Sequence, residues 1–142
     1  MSKHKPDISS AAFSGDAQLL GQALSVDPQL VEHVDDDGFY PLHLAALGGH
    51  LEVLCLLIDK GANVNAVNGR GFSVLQNAIM GSNIKSKVRL QVVKMLLSAG
   101  ADPEYVSETA GSITDTAKYY RRSNSILEAI ENEIGRIKQG HP

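Results

Sequence analysis

The chain of 142 residues has no tryptophan, one cysteine and only 5% aromatic residues. A lone cysteine excludes an intramolecular disulfide framework. Scarce aromatics leave Leu, Ala, Val and Ile to build the core. No stretch approaches about 18 consecutive apolar residues, so no membrane-spanning helix is expected. The start, Met1-Ser2-Lys3-His4-Lys5-Pro6-Asp7, has no apolar stretch. A secretory leader is therefore not expected, and a cytoplasmic location follows. A net charge of -3 argues against binding nucleic acid by phosphate neutralisation. With 43% apolar residues the chain is not of disordered composition, and its length is that of one domain. Cys55 lies in the apolar run Leu54-Cys55-Leu56-Leu57 and is expected to be a packing residue rather than a reactive thiol.

What is present is a segment that nearly recurs. Gly38-Phe39-Tyr40-Pro41-Leu42-His43-Leu44-Ala45-Ala46-Leu47-Gly48-Gly49-His50 is followed by an apolar stretch closing in Gly61-Ala62-Asn63-Val64-Asn65. The pattern restarts as Gly71-Phe72-Ser73-Val74-Leu75-Gln76-Asn77-Ala78-Ile79-Met80. From Gly38 to Gly71 the period is about 33 residues. The closing Gly100-Ala101-Asp102 lies further from Gly61 than one such period, which implies about six inserted residues, placed within 82–89. Upstream, Ala11-Ala12-Phe13-Ser14-Gly15-Asp16 aligns on Ala45-Ala46-Leu47-Gly48-Gly49-His50. Downstream, Ser112-Ile113-Thr114-Asp115-Thr116-Ala117 is a degenerate copy of the same opening.

This period and content resemble the ankyrin repeat family. The family's pattern is Gly-x-Thr-Pro-Leu-His-x-Ala-Ala-x-x-Gly-His, then an apolar helix ending in Gly-Ala-Asp-x-Asn. The second unit departs from it at Tyr40, in place of Thr, and Asn63, in place of Asp. The third has Val74 for Pro and Gln76 for His. The resemblance implies an all-α solenoid of four helix-turn-helix repeats with β-hairpin-like loops. Approximate bounds are 5–35, 36–68, 69–106 and 107–142, all in one domain.

Local signals fit such units. Pro41 suits the first turn of a helix, where its missing N–H goes unmissed. Gly48-Gly49 and Gly61 are placed to stop helices. Val53, Leu54, Leu57 and Ile58 form a buried stripe over about 51–60. The first unit is expected to hold helices near 7–14 and 16–25, the second broken by Asp27-Pro28. A final helix over about 125–138 carries Ile126, Leu127, Ile130, Ile134 and Ile137 on one face. Tyr40 cannot cap as Thr does, at a cost of about 1 kcal/mol. His43 is expected to bond within its turn, as in the family. It has no partner spaced for catalysis.

Ankyrin repeats usually contact partners through loop tips and the exposed side of each first helix. Carried onto this chain, that places Asp36, Asp37, Phe39, Tyr40 and Leu47 on the second unit, Arg70, Phe72 and Met80 on the third, and Glu108, Thr109 and Tyr119 on the fourth. Large apolar residues in such a list point to an interface. Phe39 and Phe72 read equally well as local packing between loops. Asp35 reads as a turn residue. The run Asp35-Asp36-Asp37 lacks the alternating spacing of a calcium loop, so no metal is expected. The basic insertion is either a contact site or a solvated excursion or extended helix. Tyr119-Tyr120-Arg121-Arg122 sets aromatics beside arginines, but charge disfavours nucleic acid.

The resemblance therefore implies a non-catalytic module that binds another protein, with no cofactor, no metal, no nucleic acid or membrane partner, and a monomeric unbound state. Small bacterial proteins of this kind suggest an inhibitor, or an immunity protein that neutralises a toxin. The alternatives are a scaffold or regulatory subunit and, more remotely, an enzyme.

Overall fold

The computed structural model describes residues 7–120 and 122–140. Arg121 and the stretch 1–6 read for a leader lie outside the described residues. Among the described residues eight α-helices come in four pairs: α1 (Ile8–Ser14) with α2 (Ala17–Val26), α3 (Pro41–Gly48) with α4 (Leu51–Asp59), α5 (Val74–Met80) with α6 (Ser86–Ser98), and α7 (Ile113–Tyr119) with α8 (Asn124–Lys138). The first helices stack in order α1, α3, α5, α7, and the second helices form a parallel layer in order α2, α4, α6, α8. Alanines make the close stacking possible: Ala12, Ala45, Ala46, Ala78 and Ala117 are all fully buried. The second layer supplies Leu20, Leu24, Leu54, Leu57, Leu96, Ile126 and Ile130 to one continuous core.

The helix ends follow from local chemistry. Asp7 and Asp16 cap α1 and α2 by accepting from Ser10 N–H (3.0 Å) and Leu19 N–H (3.1 Å). Ser73 and Gln76 exchange two bonds of 3.1 Å at the start of α5, and Ser112 and Asp115 do the same for α7 at 3.0 and 3.2 Å. At α3 the Tyr40 side chain makes no cap bond, as expected, and half of the box survives: His43 Nδ1 accepts from Tyr40 N–H at 3.4 Å. Gly49 ends α3 in the left-handed region (φ 72°). Asp27-Pro28 ends α2 and opens a short 3-10 turn, Pro28–Glu32.

One expectation needs correction. Cys55 is exposed rather than buried, with its sulfur at the surface 3.9 Å from Met95 Sδ on α6. At 100° per residue it sits about 155° from the centre of the stripe Val53, Leu54 and Leu57, so the apolar run around it wraps past the buried face. The insertion takes the extended-helix form that the sequence left open beside a solvated excursion. From first-helix start to second-helix end the third unit occupies 74–98, whereas the second occupies only 41–59. The largest part of the difference is in the second helix: α6 has 13 residues and α4 has 9. The linker, 81–85, is also longer than its counterpart, 49–50, while α5 is slightly shorter than α3. Most of the insertion is thus an added helical turn.

That turn carries Arg89, which is buried and whose guanidinium donates to the carbonyls of Ala78 (2.7 Å), Ile79 (3.1 Å) and Gly81 (2.7 Å). Arg122 reaches the same place from beyond α7, donating to Ile79 O at 2.7 Å and Gly81 O at 3.3 Å. Two cations therefore satisfy the orphan carbonyls at the end of α5, where the helix dipole is negative. Burial, and then the neighbouring Arg122, lower Arg89 to about 10, so it remains charged at neutral pH. Arg122 is bonded inward, which removes it from any nucleic-acid patch.

Candidate functional site

Between the helix pairs the chain makes three fingers of one design, over 34–40, 67–73 and 106–112. The second is closed by an isolated bridge, Val67 to Ser73, and the third by strands β1 (Val106–Ser107) and β2 (Gly111–Ser112). Each is held by one short side chain that accepts two backbone N–H groups. Asp35 Oδ1 takes Asp37 and Phe39, both at 2.9 Å. Asn68 Oδ1 takes Arg70 (2.9 Å) and Phe72 (3.1 Å). Ser107 Oγ takes Thr109 and Ala110, both at 3.3 Å. Asp35 is a turn residue, with one carboxylate oxygen committed to its own loop.

The fingers are coupled to one another and to the helices beneath. Gly69 N–H donates to Gly38 O at 3.0 Å, and a Cβ on either glycine would come within 2.7 Å of the other finger's backbone. Tyr105 donates its hydroxyl to Gly71 O at 2.8 Å. Below, His43 Nε2 meets Phe72 O at 3.2 Å, and Gln76 Nε2 donates to Gly111 O at 3.2 Å. The third residue of one first helix thus anchors the finger of the next unit. His43 is fully buried, and burial lowers its pKa from 6.5 to about 4 against the opposing pull of the Phe72 and Ala66 carbonyls and Asp35. It is a neutral structural residue at pH 7.

On this scaffold the sequence-predicted residues separate into three groups. Asp36, Asp37, Arg70 and Glu108 are exposed at the three finger tips, Thr109 beside Glu108. Phe39 and Tyr40 are half-buried with rings packed about His43, at centroid distances of 6.1 and 5.6 Å. They sit as local packing. Leu47, Phe72, Met80 and Tyr119 line two adjoining depressions. One, of about 350 Å³, is walled by Phe13, Leu47 and Met80 among others. The next, of about 390 Å³, is walled by Phe72, Met80, Tyr119 and Tyr120 among others. Met80 is shared, so the depressions form one continuous band across all four helix pairs.

Phe13, 52% exposed, is the residue sequence reasoning missed. Its signal was available. The alignment of Ala11-Ala12-Phe13 on Ala45-Ala46-Leu47 sets Phe13 on Leu47, and the same column holds Met80 and Tyr119. One position in every unit, at the exposed end of each first helix, is a large apolar residue. Among the described residues no cluster of three His, Cys, Asp or Glu side chains gathers as a metal site would require, and no helix is long and apolar enough to cross a membrane.

Stacked helix pairs joined by projecting fingers, with a neutral His43 tying the second unit to the third and Gln76 the third to the fourth, define a helical repeat solenoid. Comparison with known proteins identifies its kind. The family model described as ankyrin repeats (3 copies) matches residues 8–107. The chain belongs to the ankyrin repeat family. Relatives include the ankyrin repeat and SAM domain-containing protein 6 of Mus musculus, 37% identical over 101 residues that cover 70% of this chain and 11% of that protein. The probable E3 ubiquitin-protein ligase XBOS31 of Oryza sativa subsp. japonica is 35% identical over 126 residues, 87% of this chain and 27% of the relative. The BCL-6 corepressor-like protein 1 of Homo sapiens is 32% identical over 115 residues, 78% of this chain and 6% of the relative. The matched region is thus a small part of each of these relatives. The family is in general a non-catalytic protein–protein interaction module.

Proposed function

We propose that this chain holds a partner protein against the face made by its finger tips and the exposed ends of its first helices. Phe13, Leu47, Met80 and Tyr119 are the anchors. The supporting observation is their recurrence: one column of the repeat, otherwise free to vary, is large and apolar in all four units and lines adjoining depressions. Monomeric soluble surfaces rarely concentrate such residues without a use. Asp36 and Asp37, on the first finger, add negative charge at the rim. The partner segment is therefore apolar with basic flanks, and its encounter is electrostatically steered.

Such a module acts by occupancy. We favour blocking, as an inhibitor or immunity protein in the cytoplasm, acting as a monomer until bound. A scaffold or regulatory role is favoured by a different observation: in the relatives the matched segment makes up only 6–27% of a longer chain. The test compares capture of proteins from native lysate by wild type, by a Phe13→Ala/Leu47→Ala/Met80→Ala variant, and by Val26→Ser, whose valine is 88% exposed on α2. All three must first show the same helical circular dichroism. A partner held by wild type and V26S but lost by the triple variant supports the face. Equal capture by all three overturns it. Inhibition of the captured partner's activity then separates blocking from scaffolding.

A further inference from the structure

The depression of about 390 Å³ between the third and fourth units has a composition that the rest of the band lacks. Asp115 and Tyr119 stand one helical turn apart on α7 and so share one side of it, and both line the cavity. Tyr119 and Tyr120 meet at 70° with centroids 5.1 Å apart, forming a corner of two rings. Phe72 and Met80 supply apolar lining. Asp115 is the only charged side chain among the described lining residues. Its carboxyl is held below the usual range by the Ser112 N–H and hydroxyl, so it stays anionic at neutral pH. Oδ2 accepts from Ser112 N–H, and the carboxylate lines the cavity with its charge intact.

No basic side chain of the described lining neutralises this carboxylate. Arg122 packs on the corner, 5.6 Å from the centroid of the Tyr120 ring, and its donors are turned to the Ile79 and Gly81 carbonyls. Lys118, on the same helix, is exposed, outside the lining, and the weakest of the influences on Asp115. The corner already holds one cation against a tyrosine ring, while Tyr119 is 81% exposed. An apolar wall suits an aliphatic stem, and a ring face beside a carboxylate suits a positive head.

We infer that the corner formed by Phe72, Met80, Asp115, Tyr119 and Tyr120 is a subsite for a lysine or arginine side chain of the partner. The stem lies along Phe72 and Met80, and the cationic head sits between Asp115 and the Tyr119 ring. This rests on the proposed docking face and names the chemistry taken at one end of it. Elsewhere on the band, Phe13 and Leu47 offer apolar contact without a carboxylate in the lining of their depression.

The test is an amide-resolved NMR titration of the whole chain with N-acetyl-lysine methylamide, its arginine counterpart and the neutral norleucine counterpart. The expected result is saturable shifts of Thr109, Ala110, Thr116 and Tyr119 amides with one or both cationic probes, and weaker binding of norleucine. Asp115→Asn keeps the acceptor for Ser112 N–H but removes the charge, and Tyr119→Leu keeps an apolar group but removes the ring. Each is expected to weaken the cationic probes about two- to fivefold, with the remaining amide spectrum unchanged. Norleucine binding as well as the cations, or no localised shift at millimolar concentrations, overturns the inference. Partner capture that depends on Phe13 and Leu47 while the probes fail to bind would leave the docking face standing and remove only this subsite.

Discussion

Acidification should loosen the stack through His43, by an amount the structure defines. The ring is fully buried, its Nδ1 accepts from Tyr40 N–H, and its Nε2 lies 3.2 Å from Phe72 O. The tautomer is thereby assigned: Nε2 carries the proton and donates to Phe72. A second proton on Nδ1 would point at the Tyr40 N–H, opening the remaining half of the α3 cap. The folded pKa, about 4, lies below the ordinary histidine value of 6.5. The folded state thus takes up its proton later than the unfolded chain as pH falls. Stability from this group is complete above 6.5, declines below it, and levels off beneath 4. Between pH 7.5 and 4.5 the loss is about 2.5 kcal/mol.

The chain itself supplies the control. Gln76 occupies the equivalent position in the next unit, where Oε1 accepts from Ser73 N–H and Nε2 donates to Gly111 O. His43→Gln should therefore keep both bonds and lose the titration. Urea denaturation of both proteins at pH 7.5, 5.5 and 4.5 measures the difference. Carboxylates titrate in both and cancel. Wild type is expected to lose about 2.5 kcal/mol more than the variant over the full span. Parallel pH profiles for the two would refute the buried, neutral imidazole.

Other outcomes follow from the same contacts. Arg89→Leu leaves Ala78 O without its donor and removes one of two cations from the end of α5; a loss of about 2–4 kcal/mol is expected in denaturant titration, and a loss below about 0.5 kcal/mol would contradict the double cap. Gly69→Ala places a methyl 2.7 Å from Asp37 O, so about 1–3 kcal/mol should be lost and the first two fingers should exchange amide hydrogen faster. Phe13→Ser, at an exposed site, should change Tm by no more than about 2 °C while weakening partner binding at least tenfold by titration calorimetry. Asp36→Asn with Asp37→Asn should lower the association rate and its salt dependence while leaving dissociation nearly unchanged, as stopped-flow mixing would show.

Much of this architecture was legible because ankyrin units are built from local signals. Asp7, Asp16, Pro41, Gly49 and Asp27-Pro28 punctuate the chain where the structure starts or stops its helices. The helices of the first unit and the last helix fall close to their sequence-predicted spans. Less legible was whatever depends on contacts across units. Arg89 and Arg122 belong to different units, and nothing in either local sequence announces that both turn onto the same carbonyls. Charged residues in a polar insertion read as solvated unless the added helical turn is known to aim one of them inward. Cys55 was misread because a run of apolar residues on a helix covers more than the buried stripe. Phe13 was overlooked at the site for a different reason: the surface positions were carried over from the second unit onward, although the alignment already reached the first.

On the proposed reading the partner sits on the first-helix and finger face. A photo-activated crosslinking residue placed in turn at Leu47, Met80, Cys55 and Lys94 tests it most directly, the last two being exposed on α4 and α6 in the second layer. One partner is expected to be captured from Leu47 and Met80, and not from Cys55 or Lys94. Capture of that partner from the second-layer positions, with none from Leu47 or Met80, would contradict it.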